Sequence, residues 1–141
     1  MDLQQVADRM EITDLLSRYC HALDQMDWEA FRAVFTPAAE PDFTAFGGPK
    51  GNVQDLEAFL KPVLEGLSGY QHTISTIKID LDGDFAKARS AAIVPMTPQS
   101  SDSSERTFIS GLWYEDRLQR TPNGWRISSR KQVRSWALAP V

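Results

Sequence analysis

The chain holds two histidines, His21 and His72, and their settings differ. His21 falls on the polar side of an amphipathic helical stretch. His72 stands in an extended run, on a face shared with Tyr70 and Ile74. An imidazole works best as a general base near neutral pH when a carboxylate orients it. Asp24 is the candidate partner, at the flank of the apolar stripe of the opening helix and near that helix's end. Plainer readings stand beside this one. His72 could be a core histidine bound to a backbone carbonyl, and Asp24 with Asp27 could form a polar turn where the helix dipole disfavours an acid. Tyr19 lies in the stripe itself, a buried ring by default with its hydroxyl tied to a partner. Arg126, Arg130 and Arg134 alternate along the last extended run. They read as a solvated strand face, or, pointing inward, as a clamp for a carboxylate, enolate or leaving group.

Other chemistries lack their residues. There is no GxGxxG, P-loop, GxSxG elbow or HExxH. The single cysteine, Cys20, excludes an internal disulfide framework and a Cys-rich zinc cluster, and it has no flanking cationic cluster that would argue for a thiolate. The histidines and acids have no metal-ligand spacing, so no metal and no cofactor are expected. Nineteen acids against fifteen bases give a net charge of −4, which argues against a nucleic-acid partner. The longest uncharged run, Ser90 to Ser101, is too short to span a bilayer. The charged, helical opening MDLQQVADRMEI does not read as a secretory leader, so the chain is expected in the cytoplasm.

The elements that must position these groups follow from periodicity. With 141 residues, 42% of them hydrophobic, the chain suits one domain over 1–141 with its own core. Ile12, Leu15, Leu16, Tyr19 and Leu23 recur at helical spacing and predict a long first helix. A short second helix starts at Asp27, a suitable N-cap, with Trp28, Phe31 and Phe35 on its apolar face, and Thr36-Pro37 ends it. Ala39 to Phe46 reads as a short strand. A third helix starts at Asn52 and holds its rhythm to Leu67, with Pro62 expected to kink or break it. From Tyr70 the period becomes two. Tyr70, His72 and Ile74 keep one phase while Ile77, Ile79 and Leu81 keep the other, which predicts a bulge between them. Strands follow over Phe85–Met96, Arg106–Arg120 and Trp125–Trp136, joined by Asp82-Gly83-Asp84, a long surface loop over Thr97–Glu105 and Pro122-Asn123-Gly124. The fold class is α+β: helices first, then an antiparallel meander with helices on one face.

The stretch ADRMEITDLLSRYCHALDQMDWEAFRAVFTPAA closely resembles the opening of SnoaL-like proteins of the nuclear-transport-factor-2-like (NTF2-like) superfamily. YQHTIST and GLWYEDRLQRTPNGWRISSRKQVRSW resemble that group's strand signatures, so the likeness runs from about Val6 to Trp136. It implies a cone-shaped fold, a curved antiparallel sheet wrapped by N-terminal helices around a pocket. Members of the scytalone dehydratase, hexachlorocyclohexane dehydrochlorinase and bile-acid 7α-dehydratase type use a His–Asp pair, which the likeness places at His72 and Asp24. It places the tyrosine of some dehydratases at Tyr19 and the pocket arginine of some members at Arg130. The chain also departs from the pattern. Many relatives carry His-x-x-x-Asn, where this chain has Thr76, and several dehydratases have a second tyrosine where it offers Phe43. The expected function is a cofactor-independent lyase or isomerase, of dehydratase type, acting on a hydrophobic, polycyclic or aromatic small molecule. His72 would be the base, Asp24 its orienting acid, and Tyr19 or Arg130 the aid to the leaving oxygen or enolate. Trp28, Phe43 and Trp113 would contact substrate, although the Trp113-Tyr114 pair and Trp136 also read as core and interface. The alternatives are a cyclase or isomerase with the same dyad, and a non-catalytic assembly module such as a dioxygenase small subunit. A homodimer through the outer sheet face is expected from exposed aromatic surface.

Overall fold

The computed structural model describes residues 1–100, 102 and 106–139. Helix α1 (Leu3–Asp24) opens with a capping box in which the Asp2 carboxylate accepts from Gln5 N and the Gln5 side chain accepts from Asp2 N. Its stripe Ile12, Leu15, Leu16, Tyr19 and Leu23 is buried, as the period requires. Helix α2 (Trp28–Ala33) starts on Asp27, whose carboxylate accepts from Ala30 N at 3.1 Å. Helix α3 (Val53–Glu65) is N-capped by Asn52, which accepts from Asp55 N. It runs through Pro62 instead of breaking there and stops at Gly66, short of the expected Leu67. In the final turn the proline forgoes one backbone bond and little helix follows to be disrupted.

Six strands form one strongly curled sheet, with helices packed on its concave face. They are β1 (Phe35–Asp42), β2 (Leu67–Tyr70), β3 (Thr73–Asp82), β4 (Phe85–Pro98), β5 (Phe108–Thr121) and β6 (Gly124–Leu138). The order is β1-β6-β5-β4-β2, with β3 also paired to β4. The α+β class and the antiparallel run from β2 to β6 are as expected, but two details differ. The first strand is Phe35–Asp42, not Ala39–Phe46, and it lies parallel to β6. Its edge position tolerates Pro37 and Pro41, whose missing N–H groups would disrupt an inner strand. Beyond it a 3₁₀ turn, Thr44–Phe46, replaces the rest of the predicted strand. Gly48 closes that turn where a Cβ would lie 2.8 Å from Phe43 Cβ. The predicted loop over Thr97–Glu105 begins later, since Thr97 and Pro98 belong to β4, and residues 101 and 103–105 lie outside those described.

Bulges decide which side chains face inward. The β3–β4 register slips between Ser75 and Lys78, at the predicted bulge, and Thr76 there adopts a left-handed φ of +53°. A β-branched residue is strained in that region, whereas asparagine tolerates it. In β6, Arg117 pairs with Ser129 but Leu118 with Ile127, leaving Ser128 as an extra residue. The phase flips there, so Trp125 and Ile127 face inward before it and Arg130 after it.

Candidate active site

Three elements meet at the dyad. Asp24 ends α1, and His72 occupies the two-residue break between β2 and β3, not a strand as expected. The break is tied to the helix end from both sides. Tyr70 Oη donates to the Leu23 carbonyl at 2.8 Å, and His72 N–H donates to both Asp24 oxygens at 3.0 and 3.1 Å. These bonds offset the unfavourable placement of an acid at a helix C-terminus. His72 Nδ1 lies 2.7 Å from Asp24 Oδ1. With the carboxylate ionised, a hydrogen bond across this contact is donated by Nδ1 and leaves the lone pair on Nε2. The two side chains are 10% and 23% exposed, so the pair is shielded but not sealed.

His72 lines a cavity of about 280 Å³ between α3, the 3₁₀ turn and the concave face of the sheet. Phe43, Phe46, Phe59, Val94, Met96 and Leu112 contribute apolar wall. Ser110, Tyr114 and Gln132 join His72 as its polar groups. A larger groove of about 450 Å³ crosses the outer sheet face among Lys78, Lys87, Arg89, Arg117 and Lys131. It lies among exposed charges. A ligand site usually pairs an apolar wall with a few convergent polar groups, which fits the inner cavity. Among the described residues no group of three or more His, Cys, Asp or Glu could hold a metal ion.

The remaining expected site residues fall in different places. Phe43 lines the cavity. Tyr19 is fully buried just behind it, edge-on to His72 and Tyr114 at centroid distances of 6.5 and 5.7 Å. Burial pushes the Tyr19 hydroxyl well above its ordinary pKa, although the Arg130 charge opposes this. Arg130 is 1% exposed. Its Nε and Nη2 bind Asp116 at 2.7 and 2.8 Å, and its guanidinium lies 4.2 and 3.9 Å from the Tyr19 and Tyr114 ring centres. Only Nη1 is left without a hydrogen bond, so Arg130 backs the cavity and does not line it. Two expectations fail. Trp28 packs edge-on against Phe31 under Lys61 and is not part of the wall. Trp113 projects from the opposite sheet face, since Leu112 and Tyr114 point inward, and it stacks on Arg89 at 3.7 Å.

Tyr114 and Gln132 were not foreseen as wall residues. Strand parity could have found Tyr114, but the Ser128 bulge hides the inward phase of Gln132. Burial raises the Tyr114 hydroxyl to about 12, so it remains a neutral donor. The Gln132 amide is near enough to temper that rise, yet its buried Oε1 meets no donor in good geometry. A buried acceptor left unpaired costs about 1–3 kcal/mol.

Comparison with known proteins follows the same lines. The family model for the SnoaL-like domain matches residues 4–131. An uncharacterized protein of Mycobacterium tuberculosis is 34% identical over 134 residues, covering 95% of this chain and 90% of its own. Among solved structures, a Novosphingobium aromaticivorans protein provisionally named scytalone dehydratase superposes with a TM-score of 0.85 at 18% identity, over 97% of this chain and 90% of its own. A hexachlorocyclohexane dehydrochlorinase, LinA type 2, superposes at 0.84 with 15% identity, over 100% and 94%. At such identities these two likenesses speak to the fold alone. The family match over nearly the whole length and the curled sheet around a cavity agree, and the chain belongs to the SnoaL-like domain family of the NTF2-like superfamily.

Proposed function

We propose that the protein is a cofactor-independent lyase or isomerase whose base is His72, acting on a hydrophobic small molecule held in the inner cavity. The observation that carries this reading is the 2.7 Å contact between Asp24 and the cavity-facing imidazole. With Nδ1 bound to the carboxylate, Nε2 removes a carbon-bound proton next to an activating group, and Asp24 steadies the imidazolium that forms. Asp24 is thus a positioning residue. Tyr114, a neutral donor in the wall, stabilises the developing oxyanion. Tyr19 and Arg130 support Tyr114 from behind. The cavity of about 280 Å³ suits a small hydrophobic molecule of the polycyclic or aromatic kind. The rival assembly-module reading expects a filled interior and separated groups, and the open cavity and close dyad weigh against it.

The test is hydrogen–deuterium exchange beside the carbonyl of 2-tetralone in D₂O. Exchange above background is expected, falling about 10²–10⁴-fold in His72→Ala. Equal rates in the two proteins would overturn the reading. Loss of water from a hydroxylated analogue, read by mass, separates elimination from isomerisation. The reading also includes a homodimer. Ile93, Trp136 and Leu138, at 44%, 48% and 59% exposure, leave apolar surface at one end of the outer sheet face, and sedimentation at several concentrations checks it.

A further inference from the structure

The turn that ends α1 is poorly equipped to hold Asp24 by itself. The last carbonyls of a helix lack intrahelical partners, and an acid there meets the negative end of the dipole. The turn closes as a Schellman cap, with Asp27 N–H donating to the Ala22 carbonyl at 2.8 Å and Met26 N–H to the Leu23 carbonyl at 3.1 Å. Such a cap needs a left-handed residue, normally glycine, and here Met26 takes that place at φ +51°. A side chain in this region is strained. Support comes from the strand side. Tyr70 and His72 stand two residues apart in the β2–β3 segment, which is fixed on β4 by the pairs Tyr70–Met96 and Thr73–Ile93. His72 grips the Asp24 carboxylate, and Tyr70 Oη donates to the Leu23 carbonyl. That carbonyl belongs to the peptide plane carrying the Asp24 nitrogen, so the second tie fixes the backbone from which the carboxylate projects.

We infer that Tyr70 is a positioning residue, whose hydroxyl pins the end of α1 so that Asp24 meets His72 Nδ1 in one geometry. This rests on the reading of His72 as the base and adds a residue that governs how well that base is oriented. Tyr70 does not line the cavity, so it acts through the dyad and not on the substrate. Its ring stands edge-on to the imidazole, with centroids 6.2 Å apart and planes at 85°. Burial and the Asp24 charge push its hydroxyl above the ordinary tyrosine pKa, so it stays a neutral donor near pH 7. Without this tie the helix end and the strand segment meet through the carboxylate alone, a pivot about which both can turn. A catalytic group displaced by about 1 Å can lose about 10²-fold in rate.

The test is Tyr70→Phe, which keeps the ring and removes the hydroxyl. Its kcat for 2-tetralone exchange is expected to fall about 10–10²-fold with KM unchanged. Nitrogen NMR of the neutral His72 ring, in a His21→Gln background, should show the Nδ1 proton preference weakened and both tautomers populated. Thr121→Val is the control. It removes a comparable bond in the β5–β6 turn, from Thr121 Oγ1 to the Gly124 carbonyl at 2.7 Å, and should lower Tm while kcat and ring order stay as in wild type. Wild-type kcat or wild-type ring order in Tyr70→Phe would overturn the inference. So would the same losses in Thr121→Val, which would mark a merely structural role, or a raised KM with kcat intact, which would place the hydroxyl on the substrate. Ring order is read without turnover, so the catalytic reading and this one fail separately. Absent exchange in wild type with a Tyr70-dependent ring order removes the first and keeps the second. Normal exchange with ring order unchanged in Tyr70→Phe does the reverse.

Discussion

Two acid–arginine pairs hold the ends of this fold, one open to solvent on its arginine side and one enclosed, and they are built to different rules. At one end Asp8, 4% exposed, takes both terminal nitrogens of Arg120 at 2.7 and 2.8 Å, and its Oδ1 also accepts from Gln4 and from the Trp125 indole. Arg120 turns its Nε to Asp84. The contacts close on one another, and Arg120 keeps some solvent. At the other end Asp116 and Arg130 are equally tight, but Arg130 is nearly fully enclosed. It lies against two tyrosine rings and leaves Nη1 unpaired beside the unpaired hydroxyl of Tyr19. The first pair locks α1 to the sheet and has no spare valence. The second lies behind a cavity wall, under Tyr19 and Tyr114. A buried pair of full charges adds little net stability over an apolar substitute, whereas removing one partner of such a pair is costly.

That contrast can be broken in graded steps. Asp116→Ala should be the most damaging change to stability. It leaves the Arg130 charge buried without its partner and is expected to cost about 3–5 kcal/mol, read from urea unfolding. A variant as stable as wild type would mean that water reaches Arg130. Asp8→Asn should cost less, since Arg120 keeps Asp84 and solvent, and its effect should depend on pH. The Arg120 guanidinium holds the Asp8 carboxyl far below its ordinary range. The folded pKa is lowered, so the stability this group adds is present above the unfolded value near 4 and is lost as pH falls from there towards the folded value. The Tm gap between wild type and Asp8→Asn should be full at pH 7 and narrow below about pH 4. A gap constant with pH would contradict the pairing. The smallest change lies near the dyad. Thr76→Asn, which suits the left-handed bulge, should raise stability by about 1 kcal/mol, and a loss instead would show that the threonine is not strained.

The same two ends show what the amino-acid order reveals and what it hides. The helices were legible because Ile12 to Leu23 and Leu56 to Leu64 repeat at one turn's spacing. The β3 bulge was legible because the apolar phase changes between Ile74 and Ile77. The parallel pairing of β1 with β6 was not, since it joins segments far apart in sequence and no local rule sets its register. The Asp24–His72 pair came from family likeness and helix geometry together, because neither residue has a diagnostic neighbour. Gln132 was missed and Trp113 misplaced for one physical reason. Alternation tells which residues share a face but not which face is inner, and the extra Ser128 reverses the phase partway along β6. Asp8 looked like any charged residue on a helix until Arg120 and Trp125, more than a hundred positions later, surrounded it.

The measurement that meets the central claim most directly is nitrogen NMR of the His72 ring in its neutral form, in a His21→Gln background that leaves one imidazole. The account predicts a single tautomer, protonated on Nδ1 with a bare Nε2, and loss of that order in Asp24→Ala. A proton resident on Nε2, or a ring exchanging freely between both forms in the presence of Asp24, would contradict it.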